Sequence, residues 1–155
     1  MKYLLKFLQI FVSFIIILSS GCNKDDNIIP HGLTTTWKVI SFDDNITMIK
    51  IYKTDTNTWP QFNDGDITVS FTKSGPSSGE ISGRNVTNGF SGQYEISPVN
   101  KIVIQKLLWT TIGEPTWGQL FHSIESAESY KLDRDNLVIY YNQNKNSITL
   151  EKVNN

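Results

Sequence analysis

The side chains that could do acid–base or nucleophilic chemistry are few and scattered along the chain. His31 and His122 stand far apart, without the short spacing a zinc site takes from neighbouring ligands. Ser123 and Glu125 flank His122. A hydrolytic site needs a nucleophile, a base and an orienting acid converging in space beside an oxyanion site, and neighbours on a helix point in different directions. Asp43 with Asp44 and Asp64 with Asp66 could be read as carboxylate pairs, and Asp133 and Asp135 flank Arg134. These are ordinary turn and strand-end positions for Asp, and the chain contains no calcium-loop pattern and no phosphate-cradling glycine motif. The expectation is a protein with no catalytic residues, no metal and no cofactor, and so not an enzyme. Trp59 and Phe62, in the segment TWPQF, are a candidate binding platform. Two aromatics on a loop either fold over the core or form an exposed platform for a sugar or a protein partner.

The reactive residue with the clearest setting is Cys22, the only cysteine in the chain. It follows an apolar run from Tyr3 to Leu18, behind Lys2 and Lys6, and the small residues Ser19, Ser20 and Gly21. A charged start, a short apolar stretch and small residues before a cysteine predict a secretory signal over residues 1–21, cleaved before a lipidated Cys22. The run is too short for a membrane span, which takes about 20 apolar residues. Residues 22–33 read as lipidated cysteine and tether, and residues 34–155 as one domain. The predicted location is the outer membrane, lipid-anchored through acylated Cys22, facing the periplasm or the cell surface. The segment CNKDD resembles the Lys-Asp-Asp export signal of surface-exposed lipoproteins, which implies the outer face. Without residues 1–21 the side chains carry 12 basic and 15 acidic groups, a net charge of −3. That balance argues against nucleic acid as a partner.

The elements that must position these residues show in the hydropathy pattern. From Thr34 onward, short alternating runs are separated by Gly, Asn, Asp and Pro, which predicts antiparallel strands. They open at Trp37–Phe42 and continue over 46–53, 66–73, 80–82, 90–96, 102–108, 129–132, 137–141 and 147–152. Ser74 to Ser78 is a predicted turn in which Gly75 supplies positive φ. Trp117, Leu120, Phe121 and Ile124 recur at helical spacing, with Pro115 placed to start the helix. The expected class is α+β and mostly β: an antiparallel meander or partly closed barrel-like sheet with one packed α-helix.

The order of these features resembles the META/HslJ-like domain over residues 34–153. A Trp-led first strand (TTWKVISF) is followed by ITVSF, the segment GEISGRNVTNGFSGQYEI ending in Gly92-Gln93-Tyr94, a strand carrying Thr110 and Thr111, the Trp-Phe-Ile helix, and SYKLDRDNLVIYY running into SITLEKV. The chain lacks the paired cysteines of many members. The resemblance implies a small envelope domain tied to stress tolerance, with no catalytic residues to carry over. Gly83, Gly89 and Gly92 read as turn or bulge glycines, and Asn85 and Asn88 as residues that tolerate left-handed geometry or satisfy loop amides. The expected function is envelope maintenance or stress response through contact with an unknown envelope protein. The alternatives are a lipocalin-like carrier of a small apolar ligand and a surface accessory gripping glycans through Trp59 and Phe62.

Overall fold

A computed structural model describes residues 28–153; the predicted signal and Cys22 lie outside the described residues. Nine strands run in chain order: β1 (Thr36–Asp44), β2 (Ile49–Tyr52), β3 (Thr68–Lys73), β4 (Ser78–Arg84), β5 (Gly89–Ser97), β6 (Lys101–Trp109), β7 (Ala127–Asp133), β8 (Asn136–Tyr141) and β9 (Asn146–Lys152). All pairings are antiparallel, and β1 pairs with β9 along its length, so eight strands close on themselves into a barrel. β2 is the ninth. It shares one edge of β1 with β3, which takes Thr36 to Lys38 and leaves Ser41 to Asp44 to β2. The architecture is the mostly β, barrel-like sheet with one helix that the alternation predicts.

The interior is filled mainly by side chains from alternate strand positions, joined by Ile67 just before β3 and Val86 from the β4–β5 turn. Trp37, Ile67, Val69, Ile81, Val86, Ile102, Leu137, Ile139, Ile148 and Leu150 have 0% exposure, and Phe71 and Tyr94 have 1%. Phe42 joins them although simple alternation would send it outward with Lys38. A bulge between Val39 and Ser41, opposite Leu150 and Thr149, inserts Ile40 and turns Phe42 to the inner face. There its ring meets the edge of Trp117 at 4.8 Å between centroids.

The predicted helix is present but shorter. Thr116–Leu120 is α-helical (α1), and Phe121–Ser126 continues as a 3-10 helix. The buried positions explain the switch: Trp117 to Phe121 is four residues, an α turn, whereas Phe121 to Ile124 is three, a 3-10 turn. Ser123 reinforces it by donating its hydroxyl to Leu120 O, three residues back, at 2.8 Å. This segment covers the weakest seam of the wall. β6 and β7 share one paired position, Lys101 with Ser129. Beside that gap Phe90, Trp109 and Phe121 form an aromatic cluster with centroids 4.9 to 6.0 Å apart.

Two glycine expectations change. Gly75 does not have positive φ; among the described glycines only Gly65 does, while Gly92 faces a bulge as expected. Gly83 is required by close approach instead. It lies opposite Phe90, whose ring packs 2.6 Å from where a Cβ would stand, and that Cβ would also strike Thr68 O. Gly79 makes the same arrangement with Tyr94.

The predicted tether is also partly folded. Ile29 is 3% and Leu33 0% exposed, Ile28 N donates to Pro76 O, and Leu33 O accepts Trp37 Nε1 at 3.1 Å. Apolar side chains in that short stretch plug the barrel end, so the packed unit begins before Thr34. That end also carries the β3–β4, β5–β6 and β7–β8 turns. The opposite end carries the β1–β2, β4–β5 and β8–β9 turns and the helical segment.

Candidate functional site

The most distinctive surface begins at the barrel end opposite the chain entry, on the β1–β2 hairpin. Seven of the twelve exposed large hydrophobics among the described residues fall in one stretch: Ile46, Met48, Ile49, Ile51, Tyr52, Trp59 and Phe62. All four β2 residues are exposed, and Met48 at the tip is 77% exposed. The hairpin is nonetheless rigidly built. Asp44 accepts the amides of Ile46 at 2.9 Å and Thr47 at 3.0 Å, bonds that hold its carboxyl below the usual range. Met48 takes a left-handed φ of 61° to close the turn. Asn45 ties the hairpin to the β8–β9 turn through Lys145 O and Asn144 O. Contiguous apolar exposure on a fixed scaffold marks an interaction surface rather than an unfolded loop.

Its electrostatics are neutralised from within. Lys50 Nζ lies 3.0 Å from Asp43 Oδ2, which raises the lysine pKa and leaves that amine committed. Lys53 pairs with Asp66. Among the described residues β2 meets β1 on one side and no strand on the other, which leaves its outer backbone edge open apart from Tyr52 O, which accepts Asn57 Nδ2 at 2.8 Å. An open edge with apolar side chains is a template for an extended segment.

Trp59 and Phe62 lie on the loop that follows β2, with 39% and 44% exposure. Their centroids are 6.2 Å apart and the ring planes are tilted by 55°, so the two rings extend the apolar surface without sharing one flat face. Thr58 anchors the loop: it is 4% exposed and donates to Gly65 O. Asn57 O accepts Trp117 N and so docks the same loop on the start of α1.

The other candidates do not come together. Ser123 Oγ is spent on Leu120 O, and His122 stacks on Trp109 at 4.4 Å and faces Glu125 at 3.8 Å, while Glu125 itself accepts Trp109 Nε1 at 2.7 Å. His31 lies in the folded N-terminal stretch, where its carbonyl accepts Thr34 Oγ1. Asp66 is committed to Lys53 and Lys38. A polar knot that sequence reasoning missed involves Glu114. Its carboxylate accepts the amides of Thr87 and Asn88 and the Asn88 side-chain amide, the last at 2.7 Å. Asn88 Oδ1 in turn accepts Ile112 N and Thr110 Oγ1. Thr110 and Thr111 therefore stand beyond the end of β6, not within a strand.

No family model and no curated protein matches the chain. Among solved structures it is similar to a DUF4847 family protein from Bacteroides vulgatus, with 14% identity and a TM-score of 0.57 over 80% of this chain and 97% of that one. At that identity the likeness concerns the barrel fold alone.

Proposed function

We propose that the chain is a lipid-anchored envelope protein, held on the outer membrane by an acylated Cys22, that acts in envelope maintenance or stress response by gripping a protein partner and carries out no catalysis. The observation that carries the reading is the apolar hairpin with its open edge, placed away from the point where the chain enters the barrel. Six residues from Cys22 to Asn27 reach at most about 20 Å, so the anchor holds the entry end near the bilayer and presents the hairpin outward. Neutralised lysines suit an uncharged, extended partner segment better than an anionic surface. The order of strand, Gly-Asn segment and Trp-Phe-Ile helix supports a place among META/HslJ-like domains.

The test joins anchor and surface. A photo-reactive residue at Met48 should cross-link a defined envelope protein in cells, and Ile49→Ser with Ile51→Ser should abolish the product without lowering the melting temperature. Cys22→Ser should release the protein from the membrane fraction. Absence of any Met48 cross-link would overturn the contact reading, and continued membrane attachment of the Cys22 variant would overturn the anchor.

A carrier role is the second reading, favoured by the closed eight-stranded wall. An apolar ligand would have to share the interior with Trp37, Phe71, Tyr94, Trp117 and Phe121, all buried there. Saturable uptake of a fluorescent fatty acid would favour it over the contact role.

A further inference from the structure

The outer faces of β4, β5 and β6 carry a different surface, mixed polar and apolar and indented by two depressions. Register places their outward residues in three rows: Ser82, Ser91 and Leu108; Glu80, Gln93 and Gln105; Ser78, Glu95 and Val103. Adjacent rows are two residues apart along the strands, roughly 7 Å, so the rows span roughly 13 Å. Two depressions lie in line over them and share Gln93. One, of about 330 Å³, is bounded by Glu80, Ser82, Ser91, Lys106 and Leu108. The other, of about 160 Å³, is bounded by Ser74, Ser78, Glu95 and Gln105.

A bulge creates the larger depression. Ser91 opposes Leu108 and Gln93 opposes Gln105, so Gly92 alone faces both Lys106 and Leu107. Lys106 takes a left-handed φ of 52°, which breaks the alternation of β6 and places this residue in the lining of the larger depression. A Cβ on Gly92 would stand 2.9 Å from Gln105 O and from Leu107, so only glycine allows the bulged strand to come this close. The side chains of Glu80, Ser91, Gln93, Glu95, Gln105 and Lys106 have no hydrogen-bond or ion-pair partner among the described residues.

We propose that this trough binds a neutral linear oligosaccharide, with Gln93 between two adjoining sugar subsites. Planar amides and carboxylates offer paired donors and acceptors matched to neighbouring ring hydroxyls, and the serine hydroxyls add short-range bonds. Leu108, 72% exposed at the rim, gives the apolar face of a sugar ring a surface to rest on. Glu80 and Glu95 outnumber Lys106, which disfavours polyanions. The site is separate from the β1–β2 hairpin, so it stands or falls independently of the partner-binding reading.

The test is a titration of the isotope-labelled Cys22→Ser chain, which keeps the whole barrel, with cellopentaose, chitopentaose and maltopentaose, following backbone amide shifts. Saturable shifts confined to β4, β5 and β6 are expected with one of the three, at a Kd of about 1 mM or tighter. Gln93→Ala should weaken binding by about tenfold with an unchanged melting temperature. Shifts that stay linear to roughly ten times that concentration, shifts centred on residues 46–62, or undiminished binding by Gln93→Ala would overturn the proposal.

Discussion

Replacing Asn88 with Ala tests what fixes the segment between β6 and α1. Asn88 is 3% exposed, and five hydrogen bonds end on its side chain. Nδ2 donates to Ile112 O at 2.6 Å, to Glu114 Oε1 at 2.7 Å and to Thr87 Oγ1 at 3.1 Å; Oδ1 accepts Ile112 N at 2.7 Å and Thr110 Oγ1 at 2.9 Å. An amide nitrogen has two hydrogens, so the Thr87 contact shares one already used and four bonds count. The three neutral bonds lie at a partly exposed loop, where water recovers some of their energy, and are worth about 0.5 kcal/mol each; the bond to the carboxylate is worth about 1.5 kcal/mol. The sum is a loss of about 3 kcal/mol. For a domain of this size that lowers the melting temperature by roughly 10 °C. Urea unfolding followed by tryptophan fluorescence gives the free energy directly, since Trp109 and Trp117 flank the segment. A double-mutant cycle with Glu114→Ala should show strong coupling, because both changes break the same knot. A loss below about 0.5 kcal/mol for Asn88→Ala would refute the reasoning: solvent would then replace the knot, and the loop would be held by Trp117 and Phe121 alone.

Burial, helped by the charge of neighbouring Tyr130, pushes the Tyr94 hydroxyl up to about 12 from an ordinary 10.0. The unfolded chain ionises first, so this contribution to stability is intact below pH 10 and is lost as pH rises to about 12. Tyr94→Phe should flatten that alkaline loss, leaving the part due to Tyr130, whose pKa is also raised by burial. Because Tyr94 Oη has no hydrogen-bond partner among the described residues, the same change should be neutral or stabilising by about 1 kcal/mol at pH 7. Urea curves at neutral and alkaline pH check both parts, and a loss above about 1 kcal/mol at pH 7 would show that the hydroxyl is satisfied. Val99, 89% exposed in the β5–β6 turn, holds a left-handed φ of 67° that a β-branched residue adopts at a cost. Val99→Asn should raise stability by about 1 kcal/mol in thermal melts, and no gain would mean that the turn relaxes.

Much of the fold was legible because strand alternation is a local property. The nine strands predicted from alternation are present and the turn residues fall between them, since a half-buried strand must alternate whatever its partner; β2, exposed at all four residues, and Thr110 with Thr111, beyond the end of β6, are the exceptions. The helix was found for the same reason, but its division into an α turn and a 3-10 turn depended on where Phe121 and Ile124 meet the β6–β7 seam. Glycine roles were legible only in part. Gly83 is forced by Phe90 on the neighbouring strand, a constraint that lies in no local pattern. The inward face of Phe42 was not legible, because one inserted residue, Ile40, reverses the alternation and nothing nearby in sequence marks it as a bulge.

The sites divide along the same line. The strand at Ile46 and the choice for Trp59 and Phe62 between covering the core and forming an exposed platform were written in the chain; their exposure was decided by the structure. Only the tertiary structure decided that β2 has an open edge, because this depends on β3 taking the first half of the same β1 edge and leaving the second half to β2. The sequence by itself determined a mostly β domain behind a predicted lipid anchor, with few groups suited to catalysis. Closure of β1 on β9, the Asn88–Glu114 knot and the trough centred on Gln93 required three dimensions. Each joins residues distant in sequence whose contact depends on strand pairing and register rather than on local propensity.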